Sequence, residues 1–248
     1  MTDAATAVIE RQERYELQSP NPALKFLEPR ALLEAVSLLP AAPWLASETR
    51  GDGRQVMLLP GFMADERAMW PLQRYLQYLG YEALPWGIGR NNGRPEEDAG
   101  RVLEHIHAVR RSDEPITLIG WSLGGVIARE VARREPDLVR EVITFGTPVE
   151  GGPKYTATGE RFAENAKIDL DALERRIHEM NSQGIEVPLT VLYSRSDGIV
   201  DWRAAIDRYN PHARHKRIRG SHLGMAFNPV VWRFVARTLA ATSEPAAD

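Results

Sequence analysis

Between Ile116 and Arg129 the chain allows very few backbone paths. Ile116-Thr117-Leu118-Ile119 is a buried-strand pattern, and Gly120-Trp121-Ser122-Leu123-Gly124 follows it without a spacer. A helical pattern then begins at Gly125-Val126-Ile127-Ala128-Arg129. A strand that turns this abruptly into a helix needs glycines at the turn, because a Cβ at Gly120 or Gly124 would strike neighbouring backbone. Ser122, at the apex, is pushed out at the C-terminal edge of a sheet with a helix N-terminus behind it. The G-x-S-x-G spacing alone is common, and its weight comes from the strand before it and the helix after it.

Apolar runs and helical patterns alternate along the rest of the chain. Strands are expected at 55–59, 82–86, 116–120 and 141–146, and near 188 and 214. The runs Val-Met-Leu-Leu, Ile-Thr-Leu-Ile and Val-Ile-Thr-Phe are continuous rather than alternating, as in strands covered on both faces. Helices are expected near 65–79, with Asp65 as N-cap and Gly80 as stop, over 95–111, and from the Ser122 turn to about 134. A last helix runs from Pro229 to about Leu239, with Asn228 as N-cap and proline at the first position. This order implies an α/β fold: a mostly parallel, doubly wound sheet of about six strands with helices on both faces. No extra strands are expected before residue 55. Between Pro148 and Val187 lies an insertion with a polar loop, Gly151 to Gly159, and an amphipathic helix over 169–182. That helix is read as packing on the sheet, which leaves 149–168 as a short cap.

Candidate partners for Ser122 follow in the order Asp, His. Pro188-Leu-Thr-Val-Leu-Tyr-Ser-Arg-Ser-Asp197-Gly is a β-rich run ending in an acidic loop, and Gly220-Ser-His222-Leu-Gly224 is a glycine-bounded loop after another strand. A serine hydroxyl needs a base to take its proton, and a carboxylate behind the imidazole fixes its tautomer. Asp201 competes with Asp197 for the acid role. Asp197 is preferred because it directly follows the strand end, while Asp201 suits the cap of a short helix starting at Trp202. An oxyanion would sit between the backbone N–H of Leu123 and an N–H of the loop after the first strand, Pro60-Gly61-Phe62-Met63. Phe62 is assigned, with Met63 as the alternative. Phe62, Met63, Trp121 and Met225 are apolar residues near the turn, and Met63 and Trp121 are the candidate substrate contacts.

These stretches together resemble the α/β-hydrolase fold serine esterases and lipases, over roughly Gln55 to Leu239. The segments Ser194-Arg-Ser-Asp-Gly-Ile-Val and Arg219-Gly-Ser-His-Leu-Gly, with Asn228-Pro229 after them, resemble small bacterial lipase-like and esterase-like hydrolases. The hexapeptide Gly120-Trp-Ser-Leu-Gly-Gly is similar to the turn of the pimeloyl-carrier-protein methyl ester esterases. Many relatives carry His-Gly at the oxyanion loop, where this chain has Pro60-Gly61. The resemblance implies a serine hydrolase that cleaves carboxylic esters through an acyl-enzyme without a cofactor, using Ser122, Asp197 and His222. Thioester hydrolysis or acyl transfer on the same triad is the alternative. A non-catalytic binding protein on the same fold is a third reading, against which the triad and its glycines argue.

Composition adds exclusions. A net charge of −3 gives no reason to expect nucleic acid as a partner, and a chain without cysteine forms no disulfide or thiolate site and suits a reducing cytoplasm. His105 and His107 point to different faces of a helix and His212 and His215 lie in a basic loop, so no metal site is expected, and no phosphate or dinucleotide loop is present. The basic run 214–219 is read as a solvated edge. Residues 1–46 are read as an N-terminal extension, mobile over 1–20 and helical from Pro22 to Leu39, where Pro40 and Pro43 end the helix. Ala31 to Ala46 is too short and too broken for a stable membrane span, and is read as a helix packed on the domain. Residues 47–242 form the hydrolase domain, and 243–248 a tail. The partner expected is a small ester or acyl substrate, and the sequence is silent on oligomeric state.

Overall fold

The computed structural model describes residues 16–242. The expectations for the first fifteen residues and for the tail after Thr242 lie outside the described residues. Six strands, β1 (Gln55–Leu59), β2 (Glu82–Pro85), β3 (Ile116–Trp121), β4 (Val139–Phe145), β5 (Leu189–Ser194) and β6 (Arg214–Ile218), form one sheet in the order β2-β1-β3-β4-β5-β6. Every neighbouring pair is parallel. The sheet is doubly wound, and six strands match the sequence expectation. All six residues of β3 are buried, as its unbroken apolar run requires. The basic strand β6 lies at the sheet edge, where Arg214, Lys216 and Arg217 reach solvent and discourage further strand pairing.

Helices cover both faces. The helices are α1 (Pro22–Lys25), α2 (Ala31–Ala46), α3 (Trp70–Leu79), α4 (Pro95–Val109), α5 (Leu123–Arg134), α6 (Gly159–Ala166), α7 (Leu170–Ser182) and α8 (Pro229–Ala241). On one face Leu45 of α2, Leu72 and Leu76 of α3, and Val235 and Leu239 of α8 share a core with Val56, Leu58 and Ile119. On the other, Val102 and Ile106 of α4 and Ile127 and Val131 of α5 pack on Met57, Leu59 and Leu118. Burying each such side chain stabilises the fold by about 1.5–3 kcal/mol before entropy is counted. The chain leaves β1 toward one side of the sheet and returns to β3 on the other. The loops after β1 and β3 therefore diverge at the carboxyl ends of adjacent strands, where a crevice opens.

Three expectations are corrected. The single helix expected over 22–39 is instead α1, a 3₁₀ turn (Glu28–Arg30) and α2, and α2 continues through Pro40 and Pro43 to Ala46 rather than ending at Leu39. Both prolines are exposed, so the carbonyls they deprive of N–H partners can turn to water. The helix docks through Leu38, Ala41 and Leu45, while Leu32, Leu33, Val36 and Leu39 remain exposed. No helix among the described residues is long and apolar enough to cross a membrane. Second, α7 does not spend its apolar stripe on the sheet: Leu173, Ile177 and Met180 face the cavity that contains Ser122. It is tied down by Asn181, which donates to Val149 O at 2.8 Å and accepts from Arg133 of α5 at 3.0 Å. Third, Trp202 starts a turn rather than a short helix.

The strand-to-helix turn is as crowded as its glycines demand. A Cβ on Gly124 would overlap the carbonyls of Leu59 and Pro60 at the end of β1. Backbone cannot step aside there as a flexible side chain could. Gly124→Val is expected to cost about 3 kcal/mol and to lower the melting temperature by about 10 °C, with loss of soluble yield. Normal melting in a calorimetric scan would show that the turn has room to spare.

Candidate active site

Ser122 sits between β3 and α5 with φ +54° and ψ −123°. A positive φ is costly for a residue with a Cβ, by about 1–3 kcal/mol, and persists only where the surroundings enforce it. Here the Ser122 N–H is held by Phe145 O of β4 at 2.9 Å, and its own carbonyl accepts from Gly125 N at 3.0 Å. The half-buried side chain borders a cavity of about 570 Å³.

His222 borders the same cavity from the loop after β6 and is almost wholly buried. Its Nδ1 lies 2.8 Å from Asp197 Oδ2, in the loop after β5. The other Asp197 oxygen, Oδ1, accepts from the N–H groups of Ile199 (2.8 Å) and Val200 (2.7 Å). One oxygen thus holds its own loop and leaves the other for the imidazole. With Asp197 as acceptor the Nδ1 carries the proton, which leaves Nε2 as the basic nitrogen. Burial alone would lower the His222 pKa, but the charge of Asp197, its hydrogen bond and the charge of Glu28 outweigh it and hold the pKa above the ordinary histidine value. Asp201 is engaged elsewhere: Oδ1 accepts from Arg203 N at 2.8 Å, and Oδ2 pairs with the Arg203 guanidinium at 3.2 Å.

The loop after β1 runs beside the serine, with a Cβ on Gly61 falling 3.2 Å from that of Ser122. Phe62 borders the cavity and meets Phe162 edge-on at 6.1 Å between ring centroids. Met63 behaves differently from the expectation for it. It is exposed, is absent from the cavity wall, and gives its N–H to Asn91 O at 2.8 Å. The structure thus does not bring Met63 to the cavity with the other predicted site residues. Trp121 does line the cavity, and its Nε1 donates to His222 O at 3.2 Å, so it also supports the histidine loop. Leu123 opens α5 on the cavity wall. Most of the remaining wall is apolar, with Val126, Val149, Phe162, Ile168, Ile177 and Met180 prominent.

Two residues that hold these loops carry no sequence signal. Asn91 is fully buried and clasps the Phe62 loop, donating to Pro60 O and, through its backbone, to Ala64 O, both at 2.9 Å. The sequence Asn91-Asn92-Gly93 reads equally as an ordinary turn. Glu28 is buried against the Asp197 and His222 loops from an element more than 160 residues away.

Known proteins resemble this chain in sequence or in fold. Over 162 residues the chain is 28% identical to a pimeloyl-[acyl-carrier protein] methyl ester esterase of Nitrosospira multiformis, covering 55% of this chain and 57% of that protein. A protein of the same name from Pseudoalteromonas atlantica is 30% identical over 158 residues, covering 62% and 58%. The chain thus spans less than three-fifths of the length of these relatives. A structure from work on two metagenome-derived lipolytic enzymes superposes with a TM-score of 0.60 at 12% identity, covering 79% of this chain and 96% of that one, a likeness of fold alone. The family model described as "Alpha/beta hydrolase family" matches residues 56–246, from the first strand past the last helix. With that match across most of its sequence, and a parallel sheet that presents a strained serine at the end of its third strand, the chain belongs to the alpha/beta hydrolase family.

Proposed function

We propose that the protein hydrolyses carboxylic esters with an apolar acyl group, using Ser122, His222 and Asp197 as a catalytic triad. The observation that carries this is the buried 2.8 Å His222–Asp197 contact opening onto the same apolar cavity as the strained serine. Ser122 Oγ attacks the ester carbonyl carbon while His222 Nε2 takes its proton. The carbonyl π electrons move to oxygen, and the oxyanion is held by the N–H groups of Phe62 and Leu123. Of the two loop donors considered, Met63 already serves Asn91, which favours Phe62. Collapse of the tetrahedral intermediate breaks the ester C–O bond, and the leaving alcohol takes the proton from Nε2. Water then attacks the acyl-enzyme, gives a proton to Nε2, and releases the acid as Ser122 recovers its proton. Segment 149–182, including α7, acts as the cap over the acyl group. The names of the two relatives support ester chemistry, and thioester hydrolysis on the same groups remains the second reading.

The test is a panel of p-nitrophenyl esters of graded chain length beside acyl thioesters, with fluorophosphonate labelling and a pH profile. Esters should turn over faster than thioesters, and the probe should label Ser122. The base must be neutral to act, so kcat/KM should fall as pH drops through the free-enzyme pKa of His222. That pKa is raised, so the acid limb should inflect above the ordinary histidine value of about 6.5. Absence of both turnover and labelling in a folded protein would sink the proposal.

A further inference from the structure

The segment before the sheet grips both loops that carry the His222–Asp197 pair. Glu28, in a short 3₁₀ turn (Glu28–Arg30), is only 5% exposed. Its Oε1 accepts from Gly198 N at 2.8 Å and from His222 N at 3.0 Å, and its Oε2 accepts from Leu223 N at 2.9 Å. Gly198 immediately follows Asp197, so one carboxyl group ties the acid loop to the histidine loop. Two neighbours reinforce the grip. Arg30 Nη2 donates to Ser196 O at 2.6 Å, and Glu34 Oε1 accepts from the Ser221 N–H and hydroxyl at 2.7 and 2.9 Å. Contact is close enough that a Cβ on Gly198 would fall 2.5 Å from Leu24 O. A buried carboxyl group is expensive unless its lone pairs are satisfied, and here three main-chain N–H groups satisfy it.

We propose that Glu28 is a positioning residue of this enzyme: it locks the loops after β5 and β6 together and so holds Asp197 and His222 in register. Residues 21–46 are then part of the catalytic apparatus rather than an accessory extension. The inference rests on the triad assigned above. A misplacement of about 1 Å in such a pair can reduce turnover roughly 100-fold, which makes a loop clamp consequential. Two charged side chains act on the His222 imidazole, Asp197 through direct contact and Glu28 through its charge, so loss of Glu28 has a signature beyond stability.

The test is Glu28→Gln in the full chain. Glutamine keeps the shape but turns an N–H₂ toward at least one of the three N–H donors, so the clamp opens and the charge is gone. The expected result is a fall in kcat of about 10- to 100-fold, with KM changed much less and the acid limb of the kcat/KM profile moved to lower pH. NMR titration of His222 in a Ser122→Ala background should show a lower imidazole pKa for the Glu28→Gln protein than for its parent. This titration needs no turnover, so it reads the clamp even if no ester proves to be a substrate. Reduced melting temperature with an unmoved His222 pKa and unchanged kcat would overturn the proposal and leave Glu28 as ordinary packing. Should Glu28→Gln fail to fold, amide exchange in the wild-type protein decides. Slow exchange at Gly198, His222 and Leu223 is expected, and rapid exchange at all three would exclude the clamp.

Discussion

Ser122→Ala is expected to fold and melt like the parent protein and to lose about 10⁴–10⁶ in kcat for ester hydrolysis. The substitution removes one hydroxyl from the cavity wall and leaves every backbone bond of the turn in place. It also keeps a Cβ at φ +54°, so the strain of the turn is unchanged. Some catalysis should remain, because the N–H groups of the oxyanion site are backbone and survive. Hydrolysis of the best p-nitrophenyl ester, measured beside circular dichroism, checks this. A folded mutant with most of its activity would mean that another group attacks the carbonyl.

Asp197→Asn should reduce kcat by about 10⁴ at neutral pH, because an amide can turn its N–H₂ toward Nδ1 and stabilise the wrong tautomer. The fold should survive, provided the amide oxygen replaces Oδ1 as acceptor for Ile199 and Val200. Asp201→Asn is the control. Its carboxyl group serves Arg203, and losing that largely buried pair should leave kcat within a few-fold while lowering stability by about 0.5–2 kcal/mol. Parallel kinetics on the two mutants decide between the carboxyl groups. An inactive Asp201→Asn with a nearly normal Asp197→Asn would transfer the acid role, and two active mutants would mean that His222 is oriented by some other group.

Features legible in the sequence share a short range. The glycines of the Ser122 turn, the unbroken apolar strands, the Asn228 cap of α8 and the Asp65 cap, which closes a 3₁₀ turn (Glu66–Ala68) ahead of α3 rather than α3 itself, all arise from contacts within a few residues, so spacing and residue type suffice to find them. Helix α2 marks where such rules stop. Proline ends a helix only if the freed carbonyls lack an alternative, and on an exposed face water provides one. The stripe of α7 makes the same point from the other side. Leu173, Ile177 and Met180 announce a buried face, but period alone does not say whether sheet or cavity receives it.

By itself, then, the sequence determined the order of the six strands and of the helices that alternate with them, the doubly wound parallel sheet they imply, and the strained turn that presents Ser122, because each follows from local backbone sterics and hydrophobic periodicity; the helix Gly159–Ala166 in the cap segment left no such trace. The sequence could rank Asp197 above Asp201 only by its place at the strand end, and the tertiary structure shows where the two carboxyl groups go: Asp197 meets His222, while Asp201 turns to Arg203. Tertiary structure alone decided that Met63 spends its N–H on Asn91, and that Glu28 reaches Gly198 and His222 across 170 and 194 residues. Such contacts leave no periodic trace in the chain. They exist only once the sheet has brought the ends of β1, β3, β5 and β6 to one edge and the segment before it has folded back across them.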